Sequence, residues 1–212
     1  MLFLRVSLFS ILFIALSFLK ATAAGSYDVW ATGNNSNGQL GDGTTTNRST
    51  PVQVASGVAE VAAGDYHSLY VKTDGTLWAT GANWHGQLGD GTTTSPSTPV
   101  QVASGVAKVA AGANHSLYLK TDGTLWVTGY NSQGQLGDGT TTSRLSPVQV
   151  ASGVATASAG NAHSLYVKTD GTLWAMGFNS YGQLGDGTTT NRSTPVQVAS
   201  GVATVAAGAG FS

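Results

Sequence analysis

The chain has 212 residues, of which 29 are glycine and none is cysteine, with 9% charged residues and a formal net charge of −1. Glycine at this density interrupts helices of ordinary length, which excludes a helical domain. The lack of cysteine excludes a disulfide framework, a thiolate metal site and a cysteine nucleophile, and the charge offers no basic footprint for nucleic acid.

Residues 1–20 read MLFLRVSLFSILFIALSFLK and are followed by ATAAG. An early Arg5, an apolar run of about 14 residues from Val6 to Leu19, and small residues beyond it are the parts of an export signal. The run is short against the roughly 20 residues of a membrane-spanning helix. Residues 1–24 are therefore expected to be a cleaved signal peptide, leaving no stable membrane insertion and a product that is secreted or periplasmic. Lys20 is an unusual residue between such a run and its cleavage site.

Residues 25–212 form a tandem array. Trp30, Trp78, Trp126 and Trp174 are spaced 48 residues apart, and GQLGDGTTT begins at Gly38, Gly86, Gly134 and Gly182. The run HSLYVKTDGTLW from His67 recurs from His115 and His163 with one Val-to-Leu change. A period of this length belongs to solenoids, propellers and related arrays. In chain order, a unit opens with the strand through its Trp and continues into a long bent connection over 34–50. Short strands follow at 51–55 and 58–62, around Ser56-Gly57. The next two, at 67–72 and 76–79, alternate faces and are joined by a hairpin in which Asp74-Gly75 is expected to supply positive backbone angles. The fold predicted is all-β, with β-propeller-type repeats arranged as about four four-stranded blades. A β-solenoid or β-prism is the alternative.

The string WATGxNxxGQLGDGTTTxxxxPVQVxxGVxxVAAGxxHSLYVKTDGTLW covers nearly everything after the signal peptide. It resembles the repeat of the regulator of chromosome condensation family. The resemblance implies a propeller, usually of about seven blades, that serves as a protein-binding platform without catalytic residues in its repeat. One eukaryotic member exchanges guanine nucleotides on a small GTPase, and a secreted bacterial relative inhibits β-lactamases through one propeller face. The export signal makes the secreted relative the nearer analogue. Seven units would need about 336 residues, so the array is partial relative to the family. It is read as a fragment, as an open arc that self-associates through incomplete blade edges, or as a strained small propeller.

Repetition also weighs against chemistry. His67, His115 and His163 hold equivalent places in separate units and are read as packing residues that bond neighbouring backbone, because a shared zinc ion would need them at one point. Asp42, Asp90, Asp138 and Asp186 supply one carboxylate per GDG loop, too few for a calcium loop, and are read as turn residues. The Gly-rich stretch lacks the Gly-Lys-Ser/Thr of a phosphate loop, and no Ser-His-Asp set stands apart from the scaffold. No enzyme activity and no cofactor are expected.

Function is sought where the units differ. Four, six and seven residues after each Trp stand Asn34, Ser36 and Asn37; Ala82, Trp84 and His85; Tyr130, Ser132 and Gln133; Phe178, Ser180 and Tyr181. Equivalent loops emerge on one propeller face, so Trp84, His85, Tyr130, Phe178 and Tyr181 are expected to form an aromatic arc for an unknown protein partner. Asp65-Tyr66, Ala113-Asn114 and Asn161-Ala162 are a smaller variable set. The leading reading is a secreted, non-enzymatic recognition module. A structural surface or matrix repeat and a carbohydrate-binding module are the alternatives.

Overall fold

The computed structural model describes residues 18–23 and 26–212, with side chains from residue 26 onward. Most of the expected signal peptide thus lies outside the described residues. Short runs of β-branched and aromatic residues, each stopped by a glycine-bearing turn, favour strands, and fourteen are found: β1 (Phe18–Ala23), β2 (Ser26–Gly33), β3 (Arg48–Ala63), β4 (His67–Lys72), β5 (Leu77–Gly81), β6 (Val100–Ala103), β7 (Val106–Ala111), β8 (His115–Lys120), β9 (Leu125–Gly129), β10 (Arg144–Ala151), β11 (Val154–Ala159), β12 (His163–Lys168), β13 (Leu173–Gly177) and β14 (Arg192–Ala199). Among the described residues there is no helix.

All strand pairs are antiparallel neighbours in sequence. The sheets run β1-β2-β3-β4-β5-β6, β7-β8-β9-β10 and β11-β12-β13-β14. The last two are four-stranded blades of the expected kind. The first contains a third such blade, made of the second half of β3 with β4, β5 and β6. It is fused to the preceding unit because β3 runs through Ser56-Gly57 as one strand of 16 residues, whereas the corresponding chain breaks at Ser104-Gly105 and Ser152-Gly153. The first half of β3 pairs with β2, and Val58 marks the crossover, facing Tyr27 on one side and Lys72 on the other. β1 pairs with β2 so that Phe18 faces Trp30, as Tyr70 faces Trp78 in the next unit. Residues 18–23, which fall within the expected signal peptide, thus take beside β2 the place that β4 takes beside β5. Beyond β14, residues 202–208 run outside any strand against the last blade, with the Val202 N–H on the Gly171 carbonyl, the Ala207 N–H on the Ser158 hydroxyl, and Val205 and Ala207 on a core that holds Leu165, Ala175 and Leu184.

The hairpin turn differs from expectation in one detail. Gly75 has φ of 79°, and among the described residues none other than glycine has positive φ. The Gly75 N–H donates to the Lys72 carbonyl and the Lys72 N–H to the Thr76 carbonyl. Thr73 and Asp74 thus keep ordinary negative angles and Gly75 alone makes the left-handed step, the usual geometry of a three-residue hairpin loop. Asp74 contributes through its side chain, whose Oδ1 accepts from the Thr76 N–H at 2.9 Å and the Thr76 hydroxyl at 2.6 Å.

The core lies between blades. Leu69, Val71, Leu77 and Leu88 of one unit pack with Val106 and Tyr118 of the next, and Leu117, Leu119, Leu125 and Leu136 pack with Val154, Tyr166 and Met176. A central strand is consequently buried on both faces. Each of Tyr70, Tyr118 and Tyr166 stacks near-parallel on the Trp opposite it, and a lysine ammonium lies 4.6 to 4.9 Å from that Trp ring. The sheets form an arc, and its first and last strands share no sheet.

Candidate protein-binding surface

The loops that carry the variable residues are built around a buried asparagine. Asn35, Asn83, Asn131 and Asn179 are fully buried. The Asn131 Nδ2 donates to Asp138 Oδ1 at 3.1 Å and to the Thr140 and Thr142 carbonyls, while its Oδ1 accepts from the Leu136 N–H at 2.9 Å. The Asp and Leu bonds recur in every unit. One side chain therefore closes the loop by doing what a strand partner would do for a regular segment.

The GDG aspartate holds the other end. Its Oδ1 accepts from the N–H and hydroxyl of the threonine two residues on, as in Asp42 with Thr44, so the expected turn role is seen directly. Its Oδ2 meets an arginine at 2.6 to 2.7 Å in three units, as Asp42–Arg48, Asp138–Arg144 and Asp186–Arg192. In the remaining unit Pro96 stands in the arginine's place, and the Thr92 hydroxyl spans both oxygens of Asp90. Burial alone would raise the Asp42 and Asp138 carboxyls. Hydrogen bonds from the threonine and arginine outweigh it and hold both below the usual range, as they do with the Thr188 hydroxyl first at Asp186. The arginine set and the buried asparagine hold the loop in ways that reading one unit does not single out. Their signal is recurrence at the 48-residue interval.

The three histidines join blades, through a different atom from the one expected. The Nε2 of His67, His115 and His163 lies 2.8, 2.9 and 3.0 Å from the hydroxyls of Ser116, Ser164 and Ser212, each in the following unit. The partner is a side-chain hydroxyl, not backbone, because each serine Oγ in turn donates to the carbonyl of Gln87, Gln135 or Gln183 at 2.7 to 2.8 Å. A hydroxyl has one proton to give. With that proton on the glutamine carbonyl, the imidazole must donate, which fixes the Nε2–H tautomer and leaves Nδ1 without a protein partner. Burial lowers the pKa of His67 to about 4 and that of His115 to about 3, and lowers His163 as well. A His–Ser pair so polarised cannot draw a proton from the serine, and all three rings are shut off from solvent. It is a strut between blades.

The aromatic residues sort into pairs instead of one continuous arc. Trp84 contacts Tyr66 with centroids 5.7 Å apart, His85 contacts Tyr130 across the blade boundary at 4.6 Å, and Phe178 meets Tyr181 edge-on at 5.8 Å. Trp84 and Tyr181 are the exposed members, at 51% and 80%, with Tyr66 at 41%. His85, Tyr130 and Phe178 are half-buried supports. Tyr66, from the smaller variable set, completes the Trp84 pair. The backbone N–H groups of His85 and Tyr181 donate to Gln87 and Gln183 Oε1 at 3.0 Å, so both exposed rings stand on loops tied down at the next residue or their own.

Antiparallel four-stranded blades, coupled in series through repeating loops, define a β-propeller repeat protein. The chain belongs to the RCC1-like domain family, whose sequence profile matches residues 15–212. Curated protein sequences give no match. Among solved structures, Prp20p from Saccharomyces cerevisiae, described with its binding to Gsp1p and histones, superposes with a TM-score of 0.74 at 21% identity, over 87% of this chain and 52% of that one. The yeast RCC1 (Prp20) bound to Kap60 gives 0.72 at 22% identity, over 92% and 51%. Human WBSCR16 gives 0.55 at 21%, over 87% and 68%. The chain thus spans about half the length of the Prp20 chains whose fold it shares.

Proposed function

We propose that this chain is an exported, non-enzymatic recognition module that binds a protein partner through the loops bearing Trp84, His85, Tyr130, Phe178 and Tyr181. The observation that carries this reading is the coincidence of variation with exposure. Units that are otherwise near-identical differ in the loop after each Trp, and that loop presents Trp84 and Tyr181 to solvent on a scaffold locked by the asparagine and aspartate networks. Rigid, amphipathic aromatic side chains give contact area at small entropic cost and dominate protein-binding hot spots. The binding of Gsp1p, histones and Kap60 attributed to Prp20 makes a protein partner the natural class. Export rests on the composition of residues 1–24, and the mild acidity of residues 25–212 suits a protein partner better than a nucleic acid.

Crosslinking the exported chain in its native extracellular fraction, followed by mass spectrometry, identifies what it holds. Replacing Trp84, Tyr130 and Tyr181 together by alanine is expected to lower capture of that partner at least tenfold with the β-sheet circular dichroism unchanged. Undiminished capture would reject this surface, and binding on a glycan array in place of a protein would turn the reading toward carbohydrate.

A further inference from the structure

Three residues peculiar to the unit of Trp78 gather at one corner of the loop surface. Trp84 stands where the other units have Ser36, Ser132 and Ser180, and Asp65-Tyr66 stands where later units have Ala113-Asn114, Asn161-Ala162 and Ala209-Gly210. The Gly64 N–H donates to the His67 carbonyl at 2.9 Å and closes a turn on Asp65 and Tyr66, while the Ala82 N–H donates to the Tyr66 carbonyl at 2.8 Å. Those bonds bring the Tyr66 and Trp84 rings together, 5.7 Å apart and tilted by 51°, with both exposed. Neighbouring units flank the corner on both sides. The Thr80 hydroxyl reaches the Gly38 carbonyl of the preceding loop at 2.9 Å, and the Thr128 hydroxyl of the next unit reaches that of Gly86 at 2.8 Å.

The same corner carries uncompensated negative charge. Asp65 is half-buried and, among the described residues, its carboxylate meets neither a hydrogen-bond donor nor a cation, so burial raises its pKa with nothing to offset it. The turn does not need that carboxylate. It closes in the same way around Ala113 and Asn161, through the Gly112 and Gly160 N–H groups on the His115 and His163 carbonyls at 2.9 Å. Next to Trp84, the Asn83 Nδ2 donates to Asp90 Oδ1 at 2.9 Å, and Asp90 is the GDG aspartate that has Pro96 in place of an arginine. The neighbouring cations are engaged elsewhere. The Arg144 backbone adjoins Gly86, but its guanidinium lies on Asp138 at 2.6 Å, as that of Arg48 lies on Asp42. Lys72 lies over the Trp78 ring, and the Lys108 ammonium donates to the Ala155 carbonyl.

We propose that the protein partner presents an arginine to this corner, its guanidinium stacked on Trp84 beside Tyr66 and its N–H groups on the Asp65 carboxylate. The inference rests on the reading of these loops as a protein-binding surface and names the chemistry that the surface selects. A cation is attracted to the face of an indole within about 6 Å of the ring centroid. Arginine suits a half-buried carboxylate better than lysine does, because the guanidinium is more weakly hydrated, stacks flat on aromatic rings and offers two parallel N–H groups. Binding supplies Asp65 with the partner that the folded chain withholds, so the cost of its burial is recovered only in the complex. The aromatic pair alone would take any apolar contact; the unpaired carboxylate makes the corner selective for positive charge.

Titration of the 212-residue chain with N-acetyl-arginine methylamide, followed by the indole N–H resonance of Trp84, tests it, with that resonance assigned through Trp84→Phe. A saturable shift in the millimolar range is expected, and none from the neutral isostere N-acetyl-citrulline methylamide. Asp65→Asn removes the charge and keeps the shape. It is expected to weaken binding about tenfold and to leave the urea midpoint unchanged or raised, since no described residue bonds the carboxylate in the folded chain. No saturable shift, equal binding of the citrulline or lysine analogue, or indifference to Asp65→Asn would overturn the arginine site. A lowered urea midpoint in Asp65→Asn would assign the carboxylate to the fold and overturn it as well. Capture of the crosslinked partner separates this inference from the reading beneath it. If Asp65→Asn leaves capture unchanged while the triple alanine variant lowers it, the arginine site fails and the recognition surface stands; indifference to both removes both.

Discussion

A histidine buried between two strands is commonly neutral, and here the hydrogen-bond chain fixes which nitrogen carries the proton. Because Ser116 and Ser164 give their protons to Gln87 and Gln135, His67 and His115 act only as donors at Nε2, and a second proton on Nδ1 would meet no acceptor. Protonation must therefore break the joint or open the fold. Burial holds the folded pKa of His67 near 4 and that of His115 near 3, both below the unfolded value of 6.5. The unfolded chain takes up the proton first, so this stability is complete above about pH 6.5 and is lost as the pH falls toward those folded values. The loss approaches about 1.4 kcal/mol per pH unit for each ring. Asp42 and Asp138, held below the usual carboxylate range, add a loss of the same sign only below about pH 4. Urea midpoints followed by tryptophan fluorescence are therefore expected to fall between pH 6.5 and 5, before the carboxylates titrate. A flat profile over that interval would contradict the neutral buried tautomer.

At the scale of the element, the long loop is the part of the unit that behaves least like a strand and depends most on side chains. Asn131→Ala would strip partners from the Leu136 N–H, the Asp138 carboxylate and two threonine carbonyls in one step. Orphaned buried groups cost about 1–3 kcal/mol apiece, partly recovered by water, and a net loss of about 2–4 kcal/mol is expected. Hydrogen exchange should show protection vanishing first over residues 130–143, with β8 and β9 following. Uniform loss across the chain would mean that the loop has no separate stability. This loop also marks what the sequence could and could not yield. Strands, hairpin and GDG turn were readable because their determinants are local: alternation over six residues, a glycine at the left-handed step, a threonine two residues past an aspartate. The blade joints were not, since they link residues 29, 42 and 49 positions apart. A period of 48 reveals which residues are equivalent, but not which of them touch. That is why a backbone partner was expected for the histidines where a serine stands, and one aromatic arc where the rings gather in pairs. The Asp–Arg pairs were legible in principle from Arg48, Arg144 and Arg192, with Pro96 as the exception.

In the whole molecule, each blade touches chiefly its neighbours, so stability is a sum over units and the joints between them, as in other linear repeat arrays. The joints contain the large apolar clusters, Leu69 to Tyr118 and Leu117 to Met176, together with the His–Ser struts. Excising one full period is the direct measure of such an arrangement. Removal of residues 106–153 joins Gly105 to Val154, which holds the register of Val106, so Ser104-Gly105 and the following strand are restored without a new turn. The His67 strut passes from Ser116 to Ser164, the same residue one unit later, and the Leu88 loop meets the Met176 position in place of Thr128. If stability resides in neighbour joints, the shortened chain keeps the same β-sheet circular dichroism per residue, while its urea m value falls by about a quarter, in proportion to the surface no longer buried, and its midpoint drops. If stability instead requires the complete arc, the shortened chain fails to fold at all. The first outcome is expected, because each joint is already complete between two adjacent units: its hydroxyl, carbonyl and imidazole come from one pair of neighbours and from nowhere further along the chain.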